Sequence, residues 1–225
     1  MTWGSNVPLT RTPDAHFLTE VRYKGTKVVS VSPDYAESTT SSDAWLNVKA
    51  GTDAALAMAM GHVILKEYYI DKETPYFKEY AKEFTDMPFL VRVEDINGTV
   101  QPGRFLNAKD LGRQEEGADF QMVLIDELTN EIVVPNGTMG ERHTHPEKWN
   151  LRLENRDTGA KIDPRLSVFD QREDVTVVKL PYFGDEEHEG IIERAIPTIT
   201  VQTVDGPVKV TTVYDLILAN YGIDR

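Results

Sequence analysis

The sequence contains no cysteine among its 225 residues. Disulfide bonds, cysteine nucleophiles, and zinc or iron–sulfur sites ligated by cysteines of this segment are therefore excluded. Basic residues are also scarce, because 24 lysines and arginines stand against 37 aspartates and glutamates and give a formal net charge of −13. Since phosphate backbones repel such a surface, we expect no nucleic acid among its partners.

Long apolar runs are missing as well. No stretch of the sequence approaches the ~20 consecutive apolar residues that span a bilayer. Hydrophobic residues nevertheless make up 40% of the chain and charged residues 27%, which is ordinary for a globular protein. A chain of this length is therefore predicted to bury a substantial core.

The first 93 residues alternate between helical patterns and short apolar strands, which is typical of a parallel α/β sheet. The predicted helices run from Thr12 to Lys24, Tyr35 to Asp43, Thr52 to Tyr69, and Thr74 to Phe84. The predicted strands are Lys27–Ser32, Trp45–Val48 and Phe89–Val93. The helix that Thr52 caps is apolar on every side as far as Lys66, so we expect it to be buried. A first strand is missing from the pattern, and we expect it just before Met1.

The pattern changes after Glu94. Residues 94–195 read as an irregular, β-rich insertion with short strands between Gly, Asn and Asp turns. Residues 196–225 are predicted to return to the main domain as a β-hairpin and a final helix, which Gly222 ends. The predicted fold is thus α/β, with a Rossmann-like, doubly wound and mainly parallel sheet in residues 1–93.

Three turns carry the polar residues that a nucleotide would need, and each comes at the end of an expected strand. They are Gly4-Ser5-Asn6, the Pro33-Asp34 turn and Gly51-Thr52-Asp53. The glycine turn offers backbone N–H groups to a phosphate, Asp34 can accept from ribose hydroxyls, and Asp53 can accept from N1–H and the 2-amino group of guanine. Each turn alone also has a purely structural explanation, but the carboxyl ends of parallel strands meet at one edge.

No catalytic residue can be assigned from the spacing of titratable side chains. Glu141, His143, His145 and Glu147 are residue types that bind metals, but two histidines at this spacing are common without one. We therefore predict no metal site in this segment.

The same turns resemble the molybdopterin-binding core of the molybdopterin oxidoreductase (DMSO reductase) family. The matching stretches are Trp3–Asn6, Thr10–Phe17, Glu20–Lys27, Ser32–Glu37, Gly51–Val63 and Tyr76–Pro88. Within that family they are similar to catalytic alpha subunits of membrane-bound respiratory nitrate reductases. Later stretches, such as Thr211–Leu216 and Ala219–Gly222, fit the same subunits.

The resemblance implies an internal fragment of an oxidoreductase that reduces nitrate to nitrite in anaerobic respiration at a molybdenum ion held by two molybdopterin guanine dinucleotides. Gly4, Ser5 and Asn6 would line the phosphate and pterin end of one dinucleotide, Asp34 would lie near its ribose, and Gly51, Thr52 and Asp53 would hold its guanine. Residues 1–93 would then be the cofactor-binding part.

The resemblance also implies an iron–sulfur beta subunit and a membrane cytochrome b subunit as partners. The chain would be membrane-associated only through them, on the cytoplasmic face in most bacteria. A 4Fe-4S cluster of the full subunit, the molybdenum ligand and the catalytic residues would lie outside this segment, so we expect the isolated chain to lack nitrate reductase activity.

Three alternatives stay open at this point. Chlorate, perchlorate and selenate reductases share the turn motifs, so the chain could belong to one of these enzymes instead of a nitrate reductase. The chain is otherwise a stand-alone guanine nucleotide-binding module, or a non-functional gene fragment. The last predicts poor folding, because a missing first strand would leave an open sheet edge.

Overall fold

The computed structural model describes residues 1–137, 152–182 and 190–223. The chain divides into two compact units, Met1–Met60 and Gly61–Arg225, and each is described by itself below. The three-part division at residues 93 and 195 concerns the organisation of a larger domain and stays a prediction. Within the described ranges, no helix combines the length and apolarity that a bilayer span requires.

The first unit is built on a three-stranded parallel sheet with the strand order β1-β2-β3. In chain order, its elements are β1 (Thr2–Trp3), α1 (Val7–Thr10), α2 (Thr12–Tyr23), β2 (Val29–Val31), α3 (Glu37–Thr40) and β3 (Ala44–Leu46), before α4 (Asp53–Ile64). Trp3 pairs with Val31, and Val31 pairs with Leu46. The carboxyl ends of the three strands therefore lie in register at one edge.

Two details of this unit differ from the prediction. The first strand, expected before Met1, ends within the chain, because Thr2 and Trp3 pair with β2. The hydroxyl of Thr12 does not cap α2 but donates to the carbonyl of Leu9 at 3.2 Å. The end of α2 is as predicted, since Gly25 takes a φ of +90° just beyond it, a conformation that favours glycine.

A carboxylate holds the start of β2 in place. The backbone N–H of Val28 donates to Asp43 Oδ2 at 2.7 Å, and the guanidinium of Arg22 lies 3.4 Å from Oδ1. The Val28 hydrogen bond, with a smaller contribution from Arg22, lowers the pKa of Asp43 below its ordinary value. Asp43 thus stays ionised and links α2, β2 and the segment before β3.

The prediction that the apolar helix is buried is wrong. No residue of α4 is buried, and Val63 and Ile64 are almost half exposed. Apolar composition predicts burial only where other segments cover the helix, and the described residues do not cover this one. The helix changes at Leu65 into a π-helix, Leu65–Asp71, whose Leu65 and Tyr69 are buried.

The second unit contains two further helices and nine strands among its described residues. They are α5 (Pro75–Phe84), β4 (Leu90–Ile96), β5 (Thr99–Phe105), β6 (Leu124–Ile125), β7 (Ile132–Val133), β8 (Pro135–Asn136), β9 (Arg152–Asn155), β10 (Asp174–Pro181), β11 (Ile191–Thr203), β12 (Gly206–Thr212) and α6 (Val213–Asn220). Short 3-10 turns occur at Ala118–Phe120 and Phe169–Gln171.

The largest sheet in the described part of the chain is antiparallel, and it contains the strand predicted at Phe89–Val93, so the mainly parallel sheet predicted for residues 1–93 is found there only in β1, β2 and β3. Its strand order is β10-β11-β12-β4-β5, and its edge strands β5 and β10 come into contact as the sheet curls. The reason lies in the Asn97-Gly98 turn, where both residues have positive φ angles of 56° and 80°. Such a turn joins antiparallel strands directly, and it makes β4 the first half of a hairpin.

The core of the second unit consists of clusters on the sheet and under its helices. Leu90, Leu106, Val123, Val168 and Val210 are fully buried in the cluster on the sheet. A second cluster packs α5, α6 and the π-helix together, with Leu65, Tyr69, Ala81, Tyr214 and Leu218 at its centre. Burial of these apolar side chains is the main source of the unit's stability.

Replacing Gly61 by alanine is expected to destabilise the second unit by about 1–3 kcal/mol, the usual effect of overpacking. A Cβ at Gly61 would overlap Cε1 of Tyr221 and lie 2.9 Å from its hydroxyl oxygen. The ring of Tyr221 has little room to move away, because Tyr221 packs against the cluster of α5, α6 and the π-helix. Urea unfolding measures the effect. The Gly61→Ala/Tyr221→Ala double variant should show strong coupling, and strictly additive effects would contradict the steric argument.

Asp110 connects β4, β5 and the loop after β5, and only 4% of the residue is exposed. Arg104 donates to it twice, at 2.7 and 2.5 Å, and the backbone N–H of Asn107 donates at 3.0 Å. Arg92 lies 3.4 Å away. Burial acts to raise the pKa of Asp110, but the hydrogen bonds and both cations outweigh it and hold the pKa below its ordinary value of 3.8.

This depressed pKa predicts a loss of stability in acid. The contribution of Asp110 is fully present above its ordinary pKa of 3.8 and disappears as the pH falls through the lower pKa of the folded state. The free energy of unfolding should therefore fall less steeply below pH ~4 in Asp110→Asn than in the wild type. Glu116→Gln, at an exposed position, is the control, and an unchanged acid slope in Asp110→Asn would refute the prediction.

Candidate functional site

The three predicted turns come together at the carboxyl edge of the parallel sheet. Gly4-Ser5-Asn6 follows β1, Ser32-Pro33-Asp34 follows β2, and Gly51 and Thr52 lie between β3 and α4. The backbone N–H of Gly4 donates to Val31 at 3.2 Å, and that of Ser32 donates to Leu46 at 3.3 Å. These bonds extend the ladder by one residue past each strand and fix where the turns begin.

Two side-chain hydrogen bonds connect the end of β1 and the first turn with the helices α4 and α3. The indole N–H of Trp3 donates to Asp53 Oδ1 at 2.5 Å, so the end of β1 contacts the start of α4. The amide of Asn6 donates through Nδ2 to Glu37 Oε2 at 2.9 Å, in the first turn of α3. The structure thus brings Asn6 and Asp53, two of the predicted residues, onto one connected surface.

Both glycines of the predicted set have the backbone conformation that favours glycine. Gly4 has a φ of +59° and Gly51 a φ of +83°. A Cβ built at either residue would have no heavy atom within 4 Å. The space in front of these turns is therefore open, and a ligand can approach the backbone closely.

Asp34 and Thr52 make local hydrogen bonds. Asp34 Oδ1 accepts from the hydroxyl of Ser32 at 2.7 Å, while the carboxylate remains exposed. Thr52 donates its hydroxyl to the carbonyl of Lys49 at 2.6 Å. Among the described residues, no hydrogen bond joins Asp34 to the other two turns.

The edge is rich in ionised acceptors. The hydrogen bond from Asn6 is the largest influence on Glu37 and, with the backbone N–H of Glu37 itself, lowers the pKa of that carboxyl. The charge of Asp34 opposes this shift, which places the two carboxylates within electrostatic reach of one another. Such a surface suits a ligand that carries many N–H and O–H donors.

An unsatisfied acceptor in the same place points to the same kind of ligand. Asn6 Oδ1 is buried and has no hydrogen-bond partner, and the same is true of the hydroxyl oxygen of Thr2. Buried polar atoms without a partner cost about 1–3 kcal/mol each. A donor from a bound molecule would remove that cost at Asn6.

Sequence reasoning missed two side chains of this site, Trp3 and Glu37. Trp3 directly precedes Gly4 and Glu37 lies three residues after Asp34. The predicted parallel order brings the ends of their strands to one edge but does not show which side chains meet there. The histidines and glutamates at 141–147 lie outside the described residues. In the part of the chain that the structure does describe, no group of three or more His, Asp or Glu side chains is arranged to hold a metal ion.

Comparison with known proteins identifies the family of this chain. The family model of the molybdopterin oxidoreductases matches residues 1–202. The nitrate reductase alpha chain of Bacillus subtilis (strain 168) is 51% identical over the whole chain, which covers 18% of that protein. The respiratory nitrate reductase 1 alpha chain of Escherichia coli (strain K12) is 46% identical over 99% of this chain. The aligned part is 19% of the Escherichia coli protein.

A more distant relative is the perchlorate reductase subunit alpha of Dechloromonas aromatica (strain RCB), 39% identical over 62% of the chain. The chain spans about a fifth of the length of the nitrate reductase alpha chains that it matches. The family model covers the three turns, the Trp3–Asp53 and Asn6–Glu37 hydrogen bonds and most of the second unit. The chain therefore belongs to the molybdopterin oxidoreductase family.

Proposed function

We propose that this chain is part of the catalytic subunit of a molybdenum-dependent nitrate reductase. In this proposal, the carboxyl edge of β1, β2 and β3 holds one of two molybdopterin guanine dinucleotides. The observation that carries the proposal is the convergence of three turns on one open edge, with the orphaned acceptor Asn6 Oδ1 among them. A Rossmann-like arrangement of the first unit belongs to the same proposal.

The residues present fit the dinucleotide at each of its parts. Guanine and the pterin both carry N–H donors, which match the carboxylate of Asp53 and the unpartnered oxygen of Asn6. Asp34 would accept from a ribose hydroxyl. Gly4 and Ser5 would leave room for the phosphates, and Gly51 and Thr52 would hold the edge of the guanine.

The bound molybdenum cofactor supplies the two-electron chemistry that converts nitrate to nitrite. The residues of this chain bind the dinucleotide and orient it. The molybdenum ligand, the catalytic residues and a 4Fe-4S cluster are proposed to lie in other parts of the subunit. An iron–sulfur beta subunit and a membrane cytochrome b subunit would be the partners that attach it to a membrane.

Nitrate is the substrate that the relatives favour. Nitrate reductase alpha chains are 51% and 46% identical over essentially the whole chain, whereas the perchlorate reductase subunit is 39% identical over 62%. The alternative substrates chlorate, perchlorate and selenate remain secondary candidates for the same site.

The proposal can be tested by exchanging segments between homologues. The matching segment of the Bacillus subtilis alpha chain is replaced by these 225 residues, and the complex is assayed with nitrate, with perchlorate and for molybdenum content. Nitrate reduction near the parental rate, with molybdenum bound, is the expected result. A folded chimaera without molybdenum would overturn the cofactor site, and one that is loaded but prefers perchlorate would overturn the choice of nitrate.

A further inference from the structure

The link between Trp3 and Asp53 has a role that reaches beyond holding the turns together. Trp3 is the last residue of β1 and is fixed by its pairing with Val31. Asp53 is the first residue of α4, and its side chain is exposed. An exposed carboxylate normally samples several rotamers, so the hydrogen bond from the indole N–H to Oδ1, 2.5 Å long, selects one of them.

The other carboxylate oxygen stays available. Among the described residues, no group donates to Asp53 Oδ2, and Oδ1 can accept a second hydrogen bond beside that of the indole. A carboxylate fixed in this way presents two acceptors side by side. Guanine is the base that presents two adjacent donors, N1–H and the 2-amino group.

We infer that Trp3 is a positioning residue that makes this edge selective for guanine over bases with fewer donors. The inference rests on the proposed function, because it assigns a role at the same nucleotide site. Without the indole N–H, the carboxylate would have to be ordered by the ligand itself, at an entropic cost. This cost weakens guanine binding most, because only guanine, with N1–H and the 2-amino group, needs both oxygens of Asp53 in a fixed orientation.

The test compares GDP with inosine diphosphate, which lacks the 2-amino group. Calorimetry on the 225-residue protein gives the ratio of the two affinities for the wild type, Trp3→Phe, and a variant with benzothienylalanine at position 3. The last keeps the shape of the indole and replaces only the N–H by sulfur, so it separates loss of the donor from loss of packing. Tyr23→Phe, an exposed aromatic at the end of α2, is the control.

GDP affinity should fall about tenfold in both position-3 variants, while the affinity for inosine diphosphate changes less than about threefold, so that the preference for guanine shrinks. A purely structural role would lower both affinities equally and keep the ratio, and that result would overturn the inference while leaving the nucleotide site intact. Absence of GDP binding by the folded wild-type protein would instead overturn the nucleotide site itself, and with it this role of Trp3.

Discussion

GDP binding should weaken about 100-fold when Asp53 is replaced by asparagine. In the proposed site the carboxylate would accept from two donors of guanine, and hydrogen bonds to a charged group contribute about 1.5–3 kcal/mol each. Asparagine keeps one acceptor but turns an NH₂ group toward a donor of the base, so one contact becomes repulsive. Calorimetry on the 225-residue chain measures the loss.

The same substitution makes a second, opposite prediction. Xanthine carries a carbonyl oxygen where guanine carries its 2-amino group, so xanthosine diphosphate should bind Asp53→Asn better than it binds the wild type. Asp14→Asn is the matched control, because Asp14 is an exposed carboxylate in the first turn of α2. Equal GDP affinity in the wild type and Asp53→Asn would remove Asp53 from the nucleotide site.

Replacing Asp215 by alanine should lower the free energy of unfolding of the second unit by about 3 kcal/mol or more, since it leaves buried donors unpaired. Asp215 is 3% exposed. Its carboxylate accepts from the hydroxyl of Ser167 at 2.6 Å, the backbone N–H of Val168 at 2.9 Å and the hydroxyl of Thr212 at 2.9 Å. It therefore ties the start of α6 to the loop at Ser167 and Val168 and adds to the apolar contacts that Val168 makes in the cluster on the sheet.

Urea unfolding followed by circular dichroism measures this loss, and amide exchange at Val168 locates it. Asp215→Asn should lie between alanine and the wild type, because one acceptor remains. Asp170→Ala changes a nearby exposed carboxylate and should cost less than 0.5 kcal/mol, as is usual at the surface. A similar small effect of Asp215→Ala would show that the loop is held by its apolar contacts alone.

The sequence predicts elements best where the pattern is strong and local. The aromatic spacing of α5 and the Gly222 stop of α6 locate both helices to within one residue. Strand β5 was missed, although Asn97-Gly98 is a strong hairpin signal, because its Pro102 and Gly103 are untypical of a strand. The pairing of β12 with β4 could not be predicted, since no local pattern encodes a contact between segments so far apart in the chain.

The site follows the same rule. The turns that end β1, β2 and β3 could be located from Gly4, Asp34 and Gly51, because strand-to-helix turns have local signals. The hydrogen bonds Trp3–Asp53 and Asn6–Glu37 could not be predicted, because they depend on the register of the sheet and on side-chain rotamers. The exposure of α4 was not predictable from its composition, which says how apolar a helix is but not what covers it.

The insertion of β12 between β11 and β4 sets an order of events during synthesis. The parallel sheet of the first unit is complete once Leu46 has emerged from the ribosome. Leu90 of β4, in contrast, pairs with Thr212 of β12, so this pairing can form only after Thr212 has been synthesised. At typical elongation rates this delay is on the order of ten seconds. During that time the β4–β5 hairpin exposes an unpaired edge, so we expect the nascent second unit, rather than the first, to depend on chaperones.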